Sequence, residues 1–189
     1  MGQCDSVLDV GCGTDSPVGR LTARLGRTVG VDGHAPSVEA SRRRGMHSDY
    51  LVAGVLEIGE HFAERSFDCV VASDLIEHLE KADALRLLGL MERIARKKVI
   101  VFTPNGFLLQ GEYGDNPFQR HRSGWGVEEM QALGYRVSGI NGWRPLRGEL
   151  ARVAWRPRPF WKAVSFLSRP LTARFPRHAF QLLCVKDLA

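Results

Sequence analysis

Two textures of hydrophobic and polar positions alternate along the chain. Short apolar runs occur at Ser6–Val10, Thr28–Val31, Asp49–Ala53, Phe67–Ala72, Lys98–Phe102, Tyr135–Ile140 and Ala179–Lys186. Runs of this kind, bounded by turn residues, mark strands covered on both faces. Between them lie helical signals. Ser16-Pro17 supplies an N-cap and a first-turn proline, with Leu21 and Leu25 on one face and a stop near Gly26. A second helix opens at Pro36 and closes on Arg42-Arg43-Arg44 before Gly45, residue types that suit a helix C-terminus. A short polar helix is expected around Glu57–Glu64. The stretch Lys81–Arg96 carries Leu85, Leu88, Met91 and Ala95 at helical spacing, and Val127–Leu133 ends at Gly134. Strands and helices in this alternation predict an α/β fold, a doubly wound and mostly parallel sheet with helices on both faces.

Two segments break the pattern. Residues 107–126 are rich in glycine, asparagine, aromatics and charge, and are too long for a plain connector. Residues 145–178 carry prolines at 145, 157, 159, 170 and 176, which keeps any helices there short. Both read as covers on a single domain spanning 1–189, for which 189 residues and 44% hydrophobic content are sufficient. No apolar run approaches the ~20 residues of a membrane span. The N-terminus lacks a secretory pattern, so a cytoplasmic protein is expected. Met1–Ser6 fits an acylation motif, yet the first strand begins at about Ser6 and leaves Gly2 no free arm. Cys4, Cys12, Cys69 and Cys184 form no C-x-x-C pair, which predicts buried thiols, with no disulfide frame and no metal site.

The chemistry gathers in Val7-Leu8-Asp9-Val10-Gly11-Cys12-Gly13-Thr14 and Gly30-Val31-Asp32. Glycines after a first strand let backbone touch a ligand, and an acid closing the second strand can hold a ribose. A dinucleotide site wants a third glycine where Ser16 stands, and the acids Asp9 and Asp15 flanking the loop would repel a pyrophosphate. Charge therefore favours a cationic nucleoside without phosphate over NAD. Taken alone, Asp32 also fits a helix cap, and the two glycines an ordinary tight turn.

These residues resemble the first two motifs of the class I S-adenosylmethionine-dependent methyltransferases. Ser66-Phe67-Asp68-Cys69-Val70-Val71-Ala72-Ser73-Asp74-Leu75-Ile76-Glu77-His78-Leu79 resembles the fourth-strand motif of their type 11 branch. Phe102–Gly106 and Asn116–Trp125 are similar to a microbial set within it. The resemblance implies a seven-stranded sheet with its last strand antiparallel, and S-adenosylmethionine as cofactor. It places Asp9, Gly11 and Gly13 at the methionine end, with Cys12 and Thr14 lending backbone. It gives Asp32 the ribose hydroxyls, Gly33 and His34 one flank of the adenine, Val55 and Leu56 the other, and Ser73 and Asp74 the floor under the methyl group. Two departures stand out. Val55 occupies a position where the family often has an acid. The first strand also begins almost at once, where relatives carry a helix over the cofactor. A missing start, another segment or a second subunit would then cover the site, and weaker cofactor binding is expected.

The implied activity is methyl transfer to an oxygen or nitrogen of a small or medium-sized acceptor. An oxygen acceptor needs a base, for which His78 and His121 are the candidates among Asp74, Glu77, His78 and His121. His78 also fits a locally bonded histidine at a helix start, His121 a solvated loop residue beside Arg120 and Arg122. Trp125 suits either a stacking platform or a loop anchor. Net charge is +5, and from Arg144 to Arg177 the one acid is Glu149. Within that stretch, Trp155–Leu167 interleaves aromatics with arginines. It suits an anionic lipid or membrane surface, or a short helix packing Trp161, Val164, Phe166 or Leu167 inward. Nucleic acid is disfavoured, since no recognition module and no aromatic platform on a strand is present. The rivals are a methyltransferase-like binding module of weak or no activity and an RNA or protein methyltransferase.

Overall fold

The computed structural model describes residues 4–111, 116–147 and 152–188. Gly2, the acylation candidate, lies outside them, as do parts of both cover segments. Seven strands form one sheet: β1 (Ser6–Val10), β2 (Arg27–Asp32), β3 (Asp49–Val52), β4 (Phe67–Ser73), β5 (Ala95–Pro104), β6 (Arg136–Trp143) and β7 (Ala179–Asp187), in spatial order β3-β2-β1-β4-β5-β7-β6. The first five are parallel, and β7 runs antiparallel to both β5 and β6. The helices are α1 (Ala35–Arg43), α2 (Ile58–His61), α3 (Lys81–Ile94), α4 (Val127–Ala132), α5 (Arg158–Leu167) and α6 (Arg169–Arg174).

Strand alternation divides the core in two. Leu8, Val10, Val70, Val99 and Val101 face a large layer with α3, α4 and Trp125. Val7, Cys69, Val71 and Ile100 face a smaller one closed by Val18. The helix expected from Ser16-Pro17 is a 3-10 helix, Pro17–Arg24, capped by the Ser16 hydroxyl, which accepts from the Val18 amide at 3.1 Å. In α3 the buried face is Ala84, Leu87, Leu88, Met91 and Ile94, and Leu85 turns outward at 45% exposure. Of the expected stripe, Leu88, Met91 and Ala95 are buried in the core, and only Leu85 falls outside it.

The cysteine expectation also needs correction. Cys4 and Cys69 are joined as a disulfide across a Cα separation of 5.9 Å, leaving Cys12 and Cys184 as buried thiols. Val7 pairs with Cys69 in the β1–β4 register, so the chain entering β1 passes beside β4. The argument for a reducing compartment from four free thiols therefore falls away. Among the described residues no helix is long and apolar enough to cross a membrane.

Asp68 ties the start of β1 to β4 and β5. Its Oδ2 accepts from the Asp5 and Ser6 amides at 2.9 and 3.4 Å, and Arg96 and Lys97 reach Oδ1 at 3.1 and 3.2 Å. The Asp5 amide bond is the main reason its pKa drops from 3.8 to about 2, with Lys97 and the Ser6 amide assisting. A depressed carboxylate pKa adds stability above the ordinary value, and that stability is lost as pH falls through the folded value. Asp68→Asn should lower stability by ~1–3 kcal/mol near neutrality. It should also flatten the acid limb between about pH 4 and 2. Denaturant melts of both proteins across that range check both points.

Candidate active site

Strand order reverses beside β1: the connection from β1 leads outward to β2 and β3, and β4 lies on the other side. Neighbouring loops diverge at such a point and leave a crevice at the carboxyl ends of the strands. Here it is a cleft of about 730 Å³. Its walls are the loop Gly11–Pro17, then Asp32, Gly33 and Ser37, then Gly54–Glu57, then Ser73–Leu75, His78 and Leu79. Gln110, Asn116, Phe118 and Gln119, from the first cover segment, form its remaining side.

The loop is held to β2 by its own backbone. The Gly11 and Cys12 amides both donate to the Val31 carbonyl, at 2.7 and 3.0 Å. Gly11 has φ +70°, and a Cβ there would lie 2.7 Å from Leu75 Cδ1. Gly13 has φ +52° with open space where a Cβ would point. Both thus need the left-handed region that glycine reaches without strain. The Gly13 amide donates to Asp32 Oδ2 at 2.9 Å, and the His34 amide donates to Oδ1 at 2.8 Å. Asp32 is thereby oriented by two amides and keeps further lone pairs for a ligand, since each carboxylate oxygen accepts more than one bond. Burial pushes the Cys12 thiol far above its ordinary pKa, with Asp9 and Asp32 adding to the shift, so it presents a neutral, inert wall.

Ten of the twelve residues expected to touch the cofactor line this cleft: Gly11, Cys12, Gly13, Thr14, Asp32, Gly33, Val55, Leu56, Ser73 and Asp74. Asp9 and His34 are not among its walls. Asp9 is wholly buried under the loop, where its Oδ2 meets His47 Nε2 at 2.8 Å and its Oδ1 has no hydrogen-bond partner among the described residues. Its place follows from alternation, which turns Asp9 to the opposite face from Leu8 and Val10. His34 is the residue before α1, and its Nδ1 pairs with Ser37 Oγ at 2.8 Å. Spacing passed over Glu57, on the wall two residues beyond Val55, and the set from Gln110 to Gln119. Glu57 Oε2 accepts from the Gly54 amide at 3.1 Å, so an acid stands near the position where Val55 replaces one. For the cover residues, the Asn116-Pro117 pair was the available signal. The Asn116 side chain accepts from the Phe118 amide at 2.9 Å and starts a 3-10 turn there.

At the β4 side of the cleft, loop 120–123 is bonded to the turn after β4. The Arg122 and Ser123 amides donate to the Glu77 carbonyl at 2.8 and 3.0 Å. Two bonds to one carbonyl bring His121 against His78, with ring centres 4.7 Å apart. His78 Nδ1 meets the Arg120 carbonyl at 3.2 Å and His121 Nδ1 meets the Leu108 carbonyl at 2.7 Å. His121 is buried, contrary to a solvated loop residue. Burial lowers the pKa of both rings, and each also feels its surroundings: for His78 the neighbouring His121 lowers it further. Beneath them Glu77 is 2% exposed, and burial with the nearby Asp74 charge raises its pKa to about 8. Trp125 is fully buried, its Nε1 donating to Ser123 Oγ at 3.1 Å, so it anchors the loop and stacks on no ligand.

The family described as methyltransferase domain matches residues 8–103, which is half of the chain. No curated protein matches the sequence significantly. Among solved structures, the fold is similar to an S-adenosylmethionine-dependent methyltransferase from Archaeoglobus fulgidus at 18% identity, covering 98% of this chain and 87% of that one, with TM-score 0.60. It is similar to the methyltransferase domain of a bacterial Hen1, CtHen1-C, at 17% identity, covering 100% and 91%, with TM-score 0.63. It is also similar to magnesium protoporphyrin IX methyltransferase from Synechocystis PCC 6803 with bound S-adenosylhomocysteine, at 11% identity, covering 97% and 73%, with TM-score 0.59. At these identities the structural likenesses speak for the fold, whereas the family match speaks for descent. The chain belongs to the methyltransferase domain family, in the type 11-like branch of the class I S-adenosylmethionine-dependent methyltransferases.

Proposed function

We propose that the chain transfers a methyl group to an oxygen or nitrogen of a small or medium-sized acceptor held in the cleft. One observation carries this reading: the first cover segment lends Gln110, Asn116, Phe118 and Gln119 to the wall of a cleft of small-molecule size. Phe118 reaches to within 3.8 Å of the position a Cβ on Gly33 would take, across the mouth from the glycine loop. The cleft's volume of about 730 Å³ falls within the ~300–1,000 Å³ of small-molecule sites.

The residues present fit the cofactor. Asp32 offers ordered acceptor lone pairs to two ribose hydroxyls, and the open space over Gly13 gives backbone a close approach to an uncharged or cationic ligand. Val55 and Leu56 supply an apolar flank for the adenine, with Glu57 beside them. When bound, S-adenosylmethionine supplies the methyl carbon on a sulfonium, the leaving group of an in-line displacement. The protein's share is alignment and exclusion of water, and alignment of two reactants is worth ~7–11 kcal/mol. Leu75 and Leu79 line the wall on the β4 side and keep it apolar, while His78 stands on the same wall with a neutral ring favoured. A neutral imidazole there can receive the proton of a hydroxyl acceptor, or it can hold a cation. Radiolabelled methyl transfer into fractionated cell extract tests the function: label in a small-molecule fraction is expected, and label confined to RNA or protein would overturn it. Asp32→Ala should weaken S-adenosylhomocysteine binding at least ~10-fold by calorimetry, the loss of one or two charge-assisted hydrogen bonds.

A second proposal concerns where the acceptor is met: the face formed by α5 and α6 docks on an anionic bilayer surface. These helices are inverted in their packing. Their buried residues are Ser165 and Thr172, pressed against β6 so closely that a Cβ on Gly139 would lie 2.2 Å from the Thr172 carbonyl oxygen. The large apolar residues point away: Phe160, Phe166, Leu167, Leu171 and Phe175 are each more than half exposed. The alternative of packing Phe166 and Leu167 inward is thus not what this geometry supports. Arg152, Arg156, Arg158, Lys162, Arg169, Arg174 and Arg177 are interleaved with them along the chain, Arg169 lying over the Phe166 ring, and residues 152–186 contain no acid. Apolar tips among cations match the headgroup boundary of an anionic leaflet. Co-sedimentation with phosphatidylserine vesicles, lost in high salt and reduced at least ~10-fold by Phe166→Ser with Leu167→Ser, is expected. Equal recovery with neutral vesicles, or none with either, would end the idea.

A further inference from the structure

We propose that Glu77, His78 and His121 bind a divalent cation of the first transition row at the acceptor end of the cleft. A carboxylate oxygen of Glu77 and one ring nitrogen of each histidine all lie within 4.8 Å of one another. The hydrogen bonding already selects the atoms a metal needs. Because a carbonyl only accepts, the contact of His121 Nδ1 with Leu108 puts the proton of that neutral ring on Nδ1 and leaves Nε2 its lone pair. His78 Nδ1 faces the Arg120 carbonyl, with the Gln119 and Asp74 carbonyls also beside its ring. Tying the far nitrogen to a carbonyl is how proteins fix the tautomer and direction of a ligating histidine.

Glu77 provides an independent observation. Its Oε2 accepts from Thr103 Oγ1 at 3.0 Å, yet its Oε1 is buried with no hydrogen-bond partner among the described residues. A buried carboxylate oxygen left bare is costly, and a cation removes that cost. Nothing about packing demands a glutamate at this depth, since its neighbours in the turn, Ile76 and Leu75, are apolar. The backbone bonds from Arg122 and Ser123 to Glu77 then acquire a purpose. They hold the third donor, from a loop more than forty residues away in sequence, against the first two.

Donor type narrows the metal. Two imidazoles and a carboxylate suit zinc, manganese, cobalt or iron, whereas magnesium and calcium favour all-oxygen sets. Three protein donors leave coordination positions open, and His78 is shared with the cleft wall, so the open side faces the acceptor. An acceptor carrying a phenolate, hydroxyl or carboxylate oxygen would complete the set, and coordination would make that oxygen easier to deprotonate. In this arrangement the histidines act as ligands, and the metal takes over the task expected of a histidine base. The role toward the acceptor rests on the methyl-transfer reading, whereas the metal site does not.

The test therefore needs neither cofactor nor acceptor. The full chain, stripped with chelator and dialysed, is titrated with cobalt(II), and the visible d–d absorption is followed together with thermal unfolding in manganese, zinc or magnesium. One equivalent of cobalt is expected to produce the band, and manganese or zinc to raise the melting temperature where magnesium does not. His121→Ala and Glu77→Gln should each weaken cobalt binding at least ~10-fold, as loss of a donor requires. Circular dichroism of the metal-free variants confirms that they are folded, and His78→Ala gives a second measurement should either unfold. No band with any stoichiometry, or binding undiminished in folded variants, would overturn the proposal.

Discussion

The reversal of strand order between β1 and β4 is the constraint on which the rest of this molecule depends. Parallel strands are covered by helices on both faces, so their sides offer no room for a ligand. Their carboxyl ends do, at the point where successive connections leave in opposite directions. Everything with chemical character has been drawn to that end: the two left-handed glycines, the Asp32 carboxylate held by two amides, the turn after β4, and the loop that returns from β5 to lie against that turn. The amino ends of the same strands carry structural polar groups, such as the Asp68 cluster that fastens β1 to β4 and β5.

The buried polar groups fall into two kinds. Asp68 and Asn105 are fully engaged. The Asn105 amide nitrogen alone lies within 3.1 Å of the Pro176, Arg177 and Ala179 carbonyls and fixes where β7 begins. Asp9 and Glu77 each keep a buried oxygen with no hydrogen-bond partner among the described residues, as do the Ser41 and Ser66 hydroxyls. Unsatisfied buried oxygens oppose folding.

The C-terminal third is organised by a different rule. In most surface helices the apolar stripe turns toward the core. Here β6 presents glycines, α5 and α6 lay Ser165 and Thr172 on it, and the backbones come close enough that no larger residue would fit. The aromatic and aliphatic side chains displaced from that contact are left exposed, among arginines along the chain. Close backbone packing toward the sheet and exposed apolar tips are thus two consequences of one arrangement.

The strands, their parallel order and the glycine loop were legible in the sequence because each rests on local physics. A continuous apolar run needs cover on both faces, and a glycine pair after a strand followed by an aspartate after the next describes backbone geometry that few other sequences serve. Gly11, Gly13 and Asp32 on the cleft wall followed from that pattern, whereas Val55, Leu56, Ser73 and Asp74 came from the family resemblance. What local pattern could not supply were directions and long-range partners. Asp9 sits in the motif yet turns away to His47, because β1 alternates and the adjoining residues claim the other face. Cys4 meets Cys69, and His121 meets His78 and Glu77, only once β4 is laid beside β1 and the 107–126 segment folds back. The same residue types could have been solvated or packed elsewhere. Local periodicity settles which segments become strands and helices, but the meeting of side chains from distant segments is decided when the whole sheet buries its two faces at once.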